Sequence, residues 1–448
     1  LFIVLLTGAF MLATGTSDVF AKKKEKVQTE AKSDTVRTAS KKRNTQYPRL
    51  FKNKRVVTKK GLITIHKIDD KLYFEFPKSL LGREFLMGSS ISATSDNTSG
   101  LVGQTMTTPL HIRFAIQEDQ VYMQNVTPVS RMDVYSNQSD ISKAVAKSNI
   151  TPDMESFKIA AYNMDSTAVV FEVTKFFLAD NKRLPLFDQN SSSLEDEKYG
   201  QLELKAVLKK NLSSIRNFYV FDDNLEINLD MSFYQSLLAS KKEVRGGNVR
   251  VKAVYSMLLL PEETMVWRLG DPRLGYTFTK KQKISTEKDG TAFSYLQHKW
   301  NLLPADEEAY RRGDLVAPRK PVVFYIDSDF PEAWKKAIKE GVNWWNEAFK
   351  MAGFKDAVQT ADFPANDTTF YAGNLKYSCI RYVPVNLSKT QSKVWVDPRS
   401  GEIINGTIFV GHDIAKTIAS QRFVQTAQVD ERMRGIQLSE EVLLEGIR

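Results

Sequence analysis

Four histidines and one cysteine are the side chains of this 448-residue sequence best suited to hold a metal or act as a nucleophile. His66, His111, His298 and His412 lie far apart, so no two can share a helix face as zinc ligands do. His66 falls in a predicted hairpin as a surface or packing residue, His111 in a strand as a solvated one, and His412 at a strand's end in a loop. Cys379 stands alone, which excludes an intrachain disulfide and a cysteine-rich metal site, and it reads as a small buried residue. The carboxylates of the middle region are spread without pairing and read as solvated faces. The sequence shows no phosphate loop, nucleophile elbow or repeat period. The chemistry therefore has to be argued from the elements that could position it.

Length predicts roughly three domains, and 42% hydrophobic with 26% charged residues excludes a disordered, collagenous or polytopic membrane chain for the bulk. The net charge of +10 is concentrated: between Lys22 and Lys60 fifteen Lys/Arg stand against three Asp/Glu, leaving the remainder at −2. A basic leader on a near-neutral body argues against a nucleic-acid groove, and weak attraction of the leader to an anionic envelope surface is its functional reading. Leu1 to Ala13 is apolar but short for a membrane span, and Val19-Phe20-Ala21 offers a signal-peptidase site, so residues 1–21 read as a signal peptide. The protein is thus expected to be exported to the periplasm, cell surface or exterior. Residues 22–46 read as a flexible basic linker.

From Tyr47 the patterning is β-rich. Ile63 and Ile65, then Leu72, Phe74 and Phe76, alternate across a turn at Asp69-Asp70-Lys71 as a hairpin does. Leu110, Ile112, Phe114 and Ile116 repeat the period, as do Leu225, Ile227, Leu229, Met231 and Phe233. These predict a small β-rich domain over 47–96 and a β-rich accessory domain over 97–301. A different grammar starts near Pro318. Val322 to Asp327 reads as a buried strand, and a helix follows with a capping box of Asp329 and Glu332 around Pro331. Trp334, Ile338, Val342, Trp345 and Phe349 recur at helical spacing, placing both tryptophans in the core, and Gly353 closes the helix. Strand Ser378 to Val383 comes next, then Asp397-Pro398-Arg399-Ser400-Gly401 as a tight turn into a strand with Asn405, Gly406 and Thr407 at its middle. Ser439 is a helix N-cap with Glu440 and Glu441 in the first turn. The fold class is therefore α+β.

This order of strand, Trp-rich helix, Ile380-Arg381-Tyr382-Val383 strand and Asp397 to Ile403 turn resembles the opening of a metzincin-type zinc metalloprotease domain. More narrowly it is similar to large exported bacterial metalloproteases with an EcxA-like zinc-binding domain behind two domains of unknown function. Gly61 to Lys67, Leu72 to Phe76 and Leu80 to Leu86 resemble the first of those domains, and Arg268 to Tyr276 a segment near the end of the second. The likeness runs from about Tyr47 to Arg448, with 318–448 as the upper part of the catalytic domain.

The resemblance implies an endopeptidase that cleaves protein or peptide substrates by a zinc-activated water. Its zinc ligands sit in HExxHxxGxxH, whose glutamate is the general base. That motif is not in this sequence. The helix beginning at Ser439 is expected to lead into it, the chain looks clipped at both ends, and the 448 residues are expected to hold no catalytic or metal-ligating residue and to be inactive alone. One element of substrate recognition is expected within them. Metzincins pair substrate backbone against an edge strand, and the resemblance places Ile403, Ile404, Asn405, Gly406, Thr407, Ile408 and Phe409 there, with Gly406 leaving room for the peptide. The competing expectation is a non-enzymatic exported binding or assembly protein with a degenerate metzincin-like segment.

Overall fold

A computed structural model describes residues 46–96, 100–103, 105–126, 147, 150–187, 194–196, 198–284, 291–367, 370–384, 390–433 and 439–448. The expected signal peptide and, except for Gln46, the basic linker lie outside these residues. The fold is α+β and rich in strand.

Thirteen strands form one antiparallel sheet. They are β1 (Val56–Lys60), β2 (Thr64–Ile68), β3 (Lys71–Pro77), β4 (Glu84–Thr94), β5 (Leu110–Gln117), β6 (Gln120–Asn125) and β7 (Asp153–Tyr162). β8 (Ala168–Glu172), β9 (Leu194–Asp196), β10 (Gly200–Leu208), β11 (Ser214–Val220), β12 (Asn224–Ala239) and β13 (Lys242–Leu259) complete it, with the single-turn helix α1 (Thr174–Phe177) after β8. β3 pairs with β8, and β4 lies between β5 and β13, so residues on both sides of the 96/97 boundary are strands of one sheet. They also share one core: Ile63 and Phe74 cluster with Phe114, Phe171, Ile227 and Tyr255. The two β-rich domains expected from sequence are joined in a single folded body, because neither set of strands could cover its apolar face alone.

A hairpin of β14 (Phe278–Ile284) and β15 (Thr291–Gln297) and the short helix α2 (Glu307–Arg312) lead to a second sheet. It contains β16 (Val322–Ile326), β17 (Val358–Asp362), β18 (Ser378–Val383), β19 (Gln391–Val396) and β20 (Ile403–Gly411), in the order β17-β16-β18-β20-β19. The first four in that order are parallel, and β19 runs antiparallel to β20. Helices α3 (Glu332–Met351), α4 (Ile414–Thr426) and α5 (Glu440–Ile447) accompany it. Ile326, Phe330, Trp334, Ile338 and Ile380 form the core between sheet and helices, with Ile408, Leu443 and Leu444 against it.

Two local expectations are corrected here. The capping box at the start of α3 does not form: Pro331 is the N-cap without a side-chain bond, and the Asp329 amide instead bonds Asp327 Oδ1 at 3.2 Å. Trp334 is buried at 7% exposure, but Trp345 on the same helix is 66% exposed. Helical spacing puts both on one stripe, yet the core between helix and sheet takes in Trp334, Ile338 and Val342 and not Trp345. Two other local readings hold. Gly353 takes the left-handed conformation (φ 86°) that ends α3, and Ser439 Oγ accepts from the Val442 amide at 3.3 Å to cap α5.

Candidate functional site

The strand expected at the sheet edge is internal. Residues 403–409 lie in β20, which pairs with β19 from Ile403 onward and with β18 through Ile408 to Gly411. On the β18 side the earlier residues are also engaged: the Gly406 amide donates to Ser378 Oγ at 3.1 Å, and Asn405 Nδ2 donates to the Leu375 and Tyr377 carbonyls at 3.0 and 2.8 Å. The space beside Gly406 is taken by the Trp300 indole, 3.7 Å from where a Cβ would stand. A side chain at this position would meet the Trp300 ring at ordinary contact distance, so the neighbour of Gly406 is a tryptophan of the same chain. Among the described residues the sheet ends at β19. A narrow cleft of about 260 Å³ runs beside Lys393 and Val394, its other wall being Gly88, Ser89 and the segment Thr105 to Pro109.

The Asp397 to Gly401 turn forms as expected, but it is a fastening between the two sheets. Arg399 donates to both Asp397 carboxylate oxygens, at 2.9 Å from Nε and 2.6 Å from Nη2, and from Nη2 to the Pro261 carbonyl at 2.7 Å. Its Nη1 lies 3.5 Å from Glu84 of β4, which also accepts from or pairs with His111 Nε2 at 3.0 Å. His111 is therefore half-buried and paired, correcting its reading as solvated. Trp395, fully buried, packs against Leu86, Leu258 and Leu260 of the large sheet, and Gly88 keeps clear of its ring.

Between the two sheets opens a larger cleft, of about 520 Å³. The strand period of β12 builds its floor. Leu225, Ile227 and Leu229 point into the large core, so Glu226, Asn228 and Asp230 must point the other way. Glu226 is 4% and Asp230 5% exposed, the first facing the second sheet and the second held under two arginines, which corrects their reading as solvated carboxylates. Asp230 is paired with Arg216 at 3.1 Å and Arg250 at 2.9 Å. Glu226 accepts from Tyr371 Oη at 2.5 Å and Asn228 Nδ2 at 2.9 Å. Burial pushes the Glu226 carboxyl up against those hydrogen bonds. Gly373 sits against Glu226 and Tyr371 so tightly that any side chain there would displace them. Tyr371 in turn stacks on Tyr219, ring centroids 4.2 Å apart.

From the second sheet, Arg381 of β18, Lys393 of β19 and Phe409 of β20 face the same cleft. The Arg381 guanidinium lies over the Phe409 ring at 5.6 Å, and Lys393 Nζ donates to Ser90 Oγ at 3.2 Å. Burial pulls the Lys393 ammonium down to about 8, with Arg381 acting the same way and Glu226 opposing. The sequence carried the alternation that groups Glu226, Asn228 and Asp230, but no signal for what covers them.

The remaining candidates are structural. His66 is buried, held between Thr58 Oγ1 at 2.8 Å and Glu75 Oε2 at 2.9 Å, and Phe51 meets its ring edge-on. His412 stacks on Trp334 and bonds Tyr382 Oη at 2.6 Å. Cys379 is fully buried and its thiol is pushed up to about 12 by burial, the state of a packing residue. The described residues do not fit a zinc site: no three His, Cys, Asp or Glu side chains among them are grouped so as to hold a metal. Among the described residues no helix is long and apolar enough to cross a membrane.

Comparison with known families gives two matches. Residues 45–94 match a domain of unknown function, DUF5118, and residues 103–305 match another, DUF5117. Both lie before the five-stranded sheet. No curated protein and no solved structure matches the chain.

Proposed function

We propose that the chain is part of an exported zinc-dependent endopeptidase, in which the five-stranded sheet supplies the wall along which an extended peptide is bound. The observation that supports this reading is the outer side of β19. It is the one antiparallel strand of its sheet, its far side is unpaired among the described residues, and the narrow cleft runs beside it. A peptide strand added there would satisfy its backbone donors and acceptors in the strand-addition mode. Recognition is thereby assigned to Gln391 to Val396 in place of Ile403 to Phe409. Ser392 and Val394 are exposed, so pairing would be main-chain in character with little side-chain selectivity on that face. No chemical step through zinc is assigned to the described residues.

The test uses the product of the intact gene. Zinc in stoichiometric amount, hydrolysis of an unfolded protein, and loss of that hydrolysis with a chelator are the expected results. Peptides N-methylated at alternate amides should bind weakly compared with the parent peptide, since main-chain pairing needs those donors. A folded, zinc-free product without hydrolysis would overturn the reading and leave an exported binding or assembly protein.

A further inference from the structure

We propose that the cleft between the two sheets is a binding site for a ligand ending in a carboxylate, anchored by Arg381 and Lys393. This does not rest on the peptidase reading, because a protein without metal would hold the same cleft.

Along the interface, Arg216 and Arg250 share Asp230, and Arg399 is saturated by Asp397 and Pro261. Among the described residues Arg381 has an aromatic ring beneath it, Lys393 has the Ser90 hydroxyl and the Trp395 ring 5.2 Å away, and neither has a carboxylate in ion-pair range. Both act electrostatically on Glu226, while Asp230, the other buried acid of the lining, is already paired with Arg216 and Arg250. Two cations against one carboxyl leave a positive excess in a half-dry space, where an arginine fork binds a carboxylate in two parallel hydrogen bonds. Arg216 and Lys252, also in the lining, are exposed to solvent, so around the buried-side pair Arg381 and Lys393 one further negative charge balances an ionised Glu226, as a monocarboxylate supplies.

The other walls describe the ligand's body. Phe409 is a buried apolar lining, and the Tyr219–Tyr371 stack gives a flat surface. A volume of about 520 Å³ matches a small organic molecule or a few residues of peptide. Within the lining the Arg216 side chain is 64% exposed and Glu226 is buried.

Isothermal titration calorimetry at neutral pH with phenylacetate, phenylacetamide, N-acetyl-Ala-Ala-Phe and its C-terminal amide decides the matter. The expected result is that at least one acid binds about tenfold or more tightly than its own amide. The tighter acid then names the source, a free acid or a peptide end. Arg381→Gln and Lys393→Gln should each weaken that acid about tenfold, and Arg381→Lys should retain part of the affinity. Equal binding of acid and amide, no binding of either acid at about 10 mM, tighter binding of inorganic phosphate, or full affinity in a folded Arg381→Gln variant would overturn the proposal. Should the variants fail to fold, the acid–amide comparison on the unaltered protein still decides it.

Discussion

Arg399 and Arg381 stand on the same interface between the two sheets with opposite surroundings. Arg399 is gripped by Asp397, which is fully buried, and by a carbonyl from the large sheet, so its hydrogen-bonding capacity is spent on holding the two bodies together. Arg381 faces a cleft over a phenylalanine ring and keeps its donors for something else. The difference teaches that a guanidinium's role follows from what already occupies its fork, and that one interface can contain both a fastening and a receptor.

The contrast is broken most severely at the fastening. Arg399→Met leaves the Asp397 carboxylate buried without its partner, and chemical denaturation should show a loss of about 3–5 kcal/mol. A smaller loss, about 2 kcal/mol, is expected for Gly401→Ala in the same assay. That residue has φ 80° and lies against the Gln297 backbone carbonyl, so a methyl group meets both strain and collision.

At the cleft the effects are smaller and depend on pH. Lys393 titrates near 8 in the folded state, below its ordinary 10.5, so between those values the unfolded chain carries more protons and stability should rise with pH. Glu226 acts in the reverse sense: its carboxyl is raised above 4.5, so stability falls as pH climbs from there through its folded value. The charged groups facing Lys393 are Glu226 on β12 and Arg381 on β18, with Arg216, Asp230 and Lys252 farther along the lining. Lys393→Met should abolish the alkaline rise and add about 1 kcal/mol at neutral pH, read from denaturation curves across the pH range. Smallest of all, Arg381→Gln should leave stability within about 0.5 kcal/mol while the carboxylate affinity falls. A stability loss as large as that of Arg399→Met would erase the distinction between the two arginines.

Elements whose signals are local were legible from residue order. Alternation at Leu225 to Phe233, the Asp397 to Gly401 turn, the left-handed Gly353 and the Ser439 cap all appear where residue type and spacing required them, because each depends on neighbours within a few positions. Tertiary structure alone decided which faces are covered. Trp334 and Trp345 share a helical stripe, yet only the first lies beneath a partner. Glu226 and Asp230 occupy the polar side of a strand that locally reads as solvated, yet both are buried, Glu226 against residues such as Tyr371 and Asp230 under Arg216 and Arg250. Residues 403–409 form the expected strand, but strand order is a property of pairing between distant segments, and it moved the sheet edge to β19. Periodicity fixes which side chains share a face. It carries no information about what that face will meet, since covering it depends on contacts that close long loops of chain.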